Sequence, residues 1–280
     1  MKYYWHIQRV GNKKTVIFKT KSKYLQVICN MNNQYVFSFK TDTEKISITS
    51  KLNNPFGSKI PEIAKIAAEE FQKFITSESK KWKYNFRVRN GKMFGVLVIQ
   101  KEDKTYGYLG TVSGDMSSAT CDKFVPSVFD ISVDDYFIDR GMSKLTEMGK
   151  LIKASNNPVE IKLLKEKRKQ KSIALQQQLF ENYWFLNLKG KEKNVLQIFE
   201  NSSQGKPPSA AGECAAPKLL NYALKHQLKP IALAEFWWGN PLSTTDRKHR
   251  EFYPACEGKC RPILEYMLDD EKLFNEVKLI

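Results

Sequence analysis

The sequence lacks any apolar run long enough to cross a membrane, since its longest clean run spans only residues 94–99. Its first ten residues, MKYYWHIQRV, lack the apolar core of a secretion signal. Cysteine is scarce, and the odd count of five does not suit a framework of paired disulfides. These absences predict a cytoplasmic protein with reduced thiols and no membrane-spanning segment.

Acidic residues are also few beside the basic ones. The chain of 280 residues has 30 aspartates and glutamates against 46 lysines and arginines, a formal net charge of +16. This surplus favours an anionic partner, nucleic acid first and a membrane surface second. A well-solvated basic surface is the alternative.

Periodicity predicts an α+β protein. Residues 1–51 contain short runs of β-branched and aromatic residues, such as KTVIFKT and YVFSFK, and form a predicted β-rich N-terminal extension. Residues 52–280 form the predicted α+β core, with a helix near 61–75, a hairpin near 93–112 and a buried strand near 230–238. A helical insertion at about 142–187 interrupts this core. The glycines between residues 91 and 114 lack the spacing of a phosphate-binding loop.

Three of the five cysteines lie where helices are predicted to begin. Cys214 precedes one helical pattern, and Cys256 and Cys260 flank the start of another. Helix N-termini favour the thiolate form, and thiolates that converge in a reducing cell usually bind zinc. The sequence therefore predicts a zinc site at these three cysteines, with buried thiols as the alternative. His249 is a candidate fourth ligand, although its basic neighbours also suit a phosphate or solvent contact.

Positive charge is densest in the segment KEKRKQKS of the insertion. A helix displays these side chains over about two turns, which suits contact with a phosphate backbone, while an ordinary solvated face is the alternative. A second basic group follows the 230–238 strand. The predicted RNA-binding residues are Lys162, Lys165, Lys167, Arg168, Lys169, Lys171, Arg247, Lys248 and Arg250.

Residues from about Asn53 to Leu268 resemble the N-terminal region of long-form bacterial RluA-type pseudouridine synthases. The segments GECAAPKLLNYALKH, LKPIALAEFWWGNP and RKHREFYPACEGKCRPILEYML carry most of the resemblance. In that family the region precedes a catalytic module with a His-Arg-Leu-Asp motif. This chain lacks the motif, because His249-Arg250 is followed by Glu251.

The resemblance thus implies RNA base modification as a context, but no synthase activity in this chain. It implies ribosomal or transfer RNA as the partner. No membrane partner is expected. The function expected first is RNA binding associated with base modification. A structural partner of a separate pseudouridine synthase is one alternative.

Without the helical insertion, the order of predicted elements is similar to that of the zinc-dependent nucleobase deaminases. Their ligands open two helices that flank a strand: a His or Cys with Glu two residues on, and a Pro-Cys-x-x-Cys pair. Cys214 matches the first ligand, and Cys256 and Cys260 match the pair with one extra residue between them. Ala216 occupies the place of the catalytic glutamate, so the candidate substitutes are Glu213 and Glu235.

This second resemblance implies a deaminase-like mixed sheet with flanking helices. It also implies a second alternative function, a zinc-dependent deaminase-like enzyme acting on a nucleobase or nucleotide. Enzymatic activity therefore stays open at the level of the sequence.

Overall fold

The computed structural model describes residues 8–10, 13–15, 34–49, 51–86, 90–114, 121–129, 137–241 and 246–269. The α-helices in this part are α1 (Glu62–Glu78), α2 (Phe137–Ala154), α3 (Pro158–Glu181), α4 (Val195–Glu200), α5 (Ala215–Lys225) and α6 (Glu257–Leu268). The strands are β1 (Gln8–Val10), β2 (Lys13–Thr15), β3 (Val36–Phe37), β4 (Lys92–Gln100), β5 (Tyr106–Val112), β6 (Trp184–Leu186), β7 (Glu192–Asn194), β8 (Lys229–Trp238) and β9 (Phe252–Tyr253). These elements confirm the predicted α+β class.

Five strands form the central sheet in the order β3-β5-β4-β8-β9. All four strand pairs are antiparallel, whereas the deaminase resemblance predicts a mixed sheet. The difference arises because β5 and β8 run in the same direction but β4 lies between them. Parallel pairing in the described residues is confined to one isolated bridge, between Asn90 and Asn240.

The two faces of the sheet are covered by different helices. Alternate residues of β4 point to opposite faces. Phe94, Val96 and Val98 pack in the cluster that contains the apolar face of α1. Leu97 and Ile99 pack in the cluster formed by α5 and α6. The cysteine-bearing helices therefore share one face of the sheet, and α1 covers the other.

Two glycines allow these helices to approach the sheet closely. A Cβ atom on Gly110 would lie 2.5 Å from the ring of Phe71 on α1. A Cβ atom on Gly95 would lie 2.9 Å from the Cβ atom of Ala215, the first residue of α5. Real Cβ atoms do not approach other atoms this closely, so the start of α5 can rest against β4 only with glycine at position 95.

Helices α2 and α3 pair with each other to form the basic arm, residues 137–181. The turn between them is fixed by Asn157, whose side chain accepts hydrogen bonds from the backbone N–H groups of Val159 and Glu160. The Nε atom of Arg168 donates to the carbonyl oxygen of Leu145 at 3.1 Å and joins the two helices. No helix in the described ranges is long and apolar enough to cross a membrane.

The N-terminal extension contributes an edge strand to the central sheet, because β3 pairs with β5. The buried carboxylate of Glu70 on α1 accepts hydrogen bonds from the backbone nitrogens of Lys40 and Thr41, at 2.9 and 2.8 Å, and so fixes the chain after β3. Residues 1–7, 11–12, 16–33 and 50 of the extension lie outside the described residues. Its β-rich character stays a prediction there.

Candidate metal centre

The three predicted metal-binding cysteines lie at the starts of the two helices that share one face of the sheet. Cys214 is the N-cap residue of α5, and Cys256 is the N-cap residue of α6. Cys260 lies in the first turn of α6, where its backbone N–H donates to the carbonyl oxygen of Cys256 at 3.1 Å. Helix α5 and strands β8 and β9 lie between these cysteines in the chain, so the fold brings together thiols that are far apart in sequence.

The sulfur atoms lie close enough for one metal ion. The Sγ atoms of Cys214 and Cys256 are 3.9 Å apart, and those of Cys256 and Cys260 are 3.3 Å apart. All three sulfurs lie within 4.8 Å of one another. Tetrahedral zinc with Zn–S bonds of about 2.3 Å separates its sulfurs by about 3.8 Å. The donor set therefore fits a metal ion, with small adjustments of the cysteine side chains.

The three thiols shift one another's pKa values. Hydrogen bonds with the thiols of Cys214 and Cys260 lower the pKa of Cys256, and backbone N–H groups of α6 lower it further. The pKa values of Cys214 and Cys260 are raised, chiefly by their interactions with the other thiols and then by burial. A metal ion that bound all three sulfurs would release the protons that these thiols carry.

Glu235 lies on β8 and lines the same cavity as the three cysteines. Its side chain is buried, and its Oε1 atom accepts a hydrogen bond from the backbone N–H of Ala216 at 3.2 Å. Burial raises the pKa of this carboxyl group to about 7, and the negative charge of Cys256 adds to the effect. Such a group can both accept and donate a proton near neutral pH.

Glu213, the other candidate, is held in a different network. Its Oε1 atom accepts a hydrogen bond from the Tyr183 hydroxyl, and its Oε2 atom accepts one from Ser127 at 3.1 Å. The ammonium group of Lys218 lies 3.7 Å from Oε2. These partners occupy both carboxylate oxygens, so Glu213 is suited to fixing the start of α5 rather than to moving protons.

His249 lies apart from the three-cysteine group that could hold a metal ion. Its Nδ1 atom accepts a hydrogen bond from the backbone N–H of Gly239 at 2.9 Å, and its ring packs on Trp238 with the ring centroids 4.4 Å apart. The histidine therefore stabilises the loop that follows β8. As a ligand through Nδ1 it would have to give up the hydrogen bond with Gly239.

Beside the cysteines lies a cavity of about 350 Å³. Three basic side chains line it: Lys92 at the start of β4, Lys259 in the first turn of α6, and Arg247 in the loop after β8. Arg247 was predicted to bind RNA, but the sequence reasoning missed the two lysines. Lys259 had a local signal, since it lies between Cys256 and Cys260, whereas Lys92 had none.

The remaining predicted RNA-binding residues lie elsewhere. Lys248 and Arg250 are exposed in the loop after β8, where Lys248 pairs with Glu251 at 3.8 Å and Arg250 lies over the Trp238 ring. The other six predicted residues lie on α3 and are all exposed: Lys162, Lys165, Lys167, Arg168, Lys169 and Lys171. The structure thus separates the predicted basic residues into the arm, the loop and the cavity.

Comparisons of the chain with protein-family models, with curated proteins and with solved structures gave no match.

Proposed function

We propose that Cys214, Cys256 and Cys260 bind a zinc ion, and that the chain is a deaminase-like enzyme that hydrolyses an amino group from a nucleobase. One observation carries this proposal: the carboxylate of Glu235 accepts a hydrogen bond from the backbone of Ala216. Position 216 is where the deaminase motif has its catalytic glutamate. Glu235 on strand β8 therefore supplies a carboxylate beside position 216.

The chemistry needs a metal ion, a proton carrier and a cavity. Zinc on three protein ligands acts as a Lewis acid and lowers the pKa of water. In hydrolytic deamination, a water oxygen bonds to the ring carbon, the C–N bond breaks, and ammonia leaves. Glu235 takes a proton from the water and gives it to the departing nitrogen, and its buried position favours the proton-bearing form that this second step needs.

The test is ammonia release from zinc-loaded protein incubated with cytosine- and adenine-containing nucleosides, nucleotides and short RNAs. The products, uracil and hypoxanthine derivatives, are identified by mass spectrometry. We expect Glu235→Gln to lower the rate by about 100-fold or more while zinc remains bound, because general acid–base catalysis contributes about 10²–10⁴. Glu69→Gln, which changes an exposed glutamate on α1 across the sheet, is the matched control.

Ammonia release that persists in Glu235→Gln would remove Glu235 from the mechanism. Zinc-loaded protein that deaminates none of these substrates would reject the enzymatic proposal and leave a structural zinc site.

A second candidate function is RNA binding beside a separate pseudouridine synthase, without catalysis in this chain. It is favoured by the exposed cations of the basic arm. These cations lie on α3, the second helix of the arm. The pure chain should then form no pseudouridine in unmodified ribosomal or transfer RNA. Pseudouridine mapping after incubation tests this, and product from pure protein would contradict it.

A further inference from the structure

We infer that the cavity beside the cysteines binds the phosphate of its ligand through Lys92, Arg247 and Lys259, so that the ligand is a nucleotide rather than a free nucleobase or nucleoside. This inference rests on the proposed function and specifies its substrate class. It is carried by the three basic side chains, which come from three separate elements and converge on one cavity.

Arg247 is held in position before any ligand arrives. Its guanidinium group lies 5.4 Å from the ring centroid of Trp237 and 5.5 Å from that of Tyr253. Aromatic contacts of this kind restrict the long side chain and leave the N–H edge of the guanidinium group available. A planar fork that is already ordered loses little entropy when it binds a phosphate.

Lys92 and Lys259 line the cavity from two other elements, β4 and α6. The Nζ atom of Lys92 lies beside Gly114, 3.9 Å from the point that a Cβ atom on Gly114 would occupy. Gly114 follows β5, and both residues line the cavity. Lys259 is on the turn of α6 that carries Cys256 and Cys260. Both lysines are partly buried, and within the described ranges neither forms an ion pair.

The acidic side chains of the cavity form no ion pair with these cations in the described residues. Glu213 is paired with Lys218. Glu235 accepts a hydrogen bond from the backbone N–H of Ala216. An anionic ligand group is therefore favoured in the cavity.

The size of the cavity agrees with this ligand class. A volume of about 350 Å³ falls at the lower end of the range of about 300–1,000 Å³ for small-molecule sites. The cysteines, Glu235 and the three basic residues all line this one cavity. One nucleotide unit can then place its base near the cysteines and its phosphate among the cations, as a free monophosphate or as part of single-stranded RNA.

Calorimetric titration of the zinc-loaded full chain tests the inference. The probes are the four ribonucleosides, their 5′-monophosphates, and short single-stranded oligoribonucleotides of each base. We expect at least one monophosphate to bind about ten-fold or more tightly than its nucleoside, because hydrogen bonds to charged groups are stronger than those between neutral groups. Lys92→Gln, Arg247→Gln and Lys259→Gln should each reduce this preference, and Lys65→Gln on the opposite helix α1 should preserve it.

Each variant is accepted only with unchanged zinc content and unfolding midpoint, so lost binding cannot be attributed to lost folding. Equal affinity for nucleosides and monophosphates would overturn the inference, as would an equal loss in Lys65→Gln. An oligonucleotide that binds more tightly than its monophosphate identifies RNA as the source of the nucleotide unit, and equal affinity identifies a free nucleotide.

The titration also separates this inference from the proposed function. Nucleotide binding without ammonia release would support the phosphate site and reject the enzyme. Deamination of nucleosides and nucleotides with equal efficiency would support the enzyme and reject the phosphate site.

Discussion

Lys218 offers the clearest test of the packing around the candidate site. Its side chain is 2% exposed, and its Nζ atom lies 3.7 Å from the Oε2 atom of Glu213. Nζ also donates hydrogen bonds to the carbonyl oxygens of Val112, at 2.6 Å, and Gly114, at 2.9 Å. Lys218→Met keeps most of the side-chain volume but removes the charge and all three interactions.

The expected loss is large because the remaining groups stay buried. Hydrogen bonds from a charged donor contribute about 1.5–3 kcal/mol each, and removing one partner of a buried ion pair costs about 3–5 kcal/mol. These effects overlap, so we expect the free energy of unfolding to fall by about 3–5 kcal/mol. Native proteins have a free energy of unfolding of about 5–15 kcal/mol, so the variant would lose a substantial fraction of its stability.

Urea unfolding under reducing conditions, followed by tryptophan fluorescence and circular dichroism, measures this loss. Lys225→Met is the matched control on the same helix, because its ion pair with Glu192 is 3.3 Å long but well exposed, and such pairs contribute about 0–1 kcal/mol. Adding Glu213→Gln to Lys218→Met should restore part of the stability by removing the unpaired carboxylate. A loss below about 1 kcal/mol in Lys218→Met would refute the view that the ammonium group is a buried, fully bonded cation.

Three further predictions concern the sheet, a histidine and the arm. Gly95→Ala should destabilise the protein by about 1–3 kcal/mol and lower its metal affinity, since the new Cβ atom would push Ala215 and the start of α5 away from β4; unfolding and metal titration measure both effects. Burial and the charge of Lys225 lower the pKa of His226, so the unfolded chain binds a proton more readily. Stability should therefore fall as the pH drops below about 6.5, and less so in His226→Gln, as followed by urea unfolding at several pH values. Replacing the exposed arm lysines by glutamine should weaken RNA binding and reduce its dependence on salt concentration, as measured by filter binding. The lysines to replace are Lys162, Lys165, Lys167, Lys169 and Lys171. An unchanged salt dependence would show that the arm does not contact the RNA phosphates.

Local patterns were sufficient to predict much of the core. The helix predicted over residues 61–75 is α1, because its apolar residues recur at helical spacing and pack on one face of the sheet. The predicted hairpin is β4 and β5, and the predicted buried strand is β8. The sequence pattern predicts these elements well because the apolar residues that form the pattern are the ones buried in the core.

The arrangement of the site depended on contacts that spacing cannot reveal. The convergence of Cys214 with Cys256 and Cys260 followed from their positions at helix starts, but the roles of the two glutamates did not. Glu213 is beside Cys214 in sequence, yet Tyr183 and Lys218 draw its carboxylate into another network. Glu235 reaches the position of Ala216 only because β8 lies beside the start of α5.

Metal analysis of the purified chain tests the central claim most directly. Protein prepared under reducing, chelator-free conditions should contain about one zinc ion per chain, and Cys214→Ser or Cys260→Ser should remove it. Cys121→Ser, which changes a free cysteine outside the cluster, and His249→Ala should keep the full zinc content. Wild-type protein without zinc, or zinc that remains after Cys214→Ser and Cys260→Ser, would contradict the account.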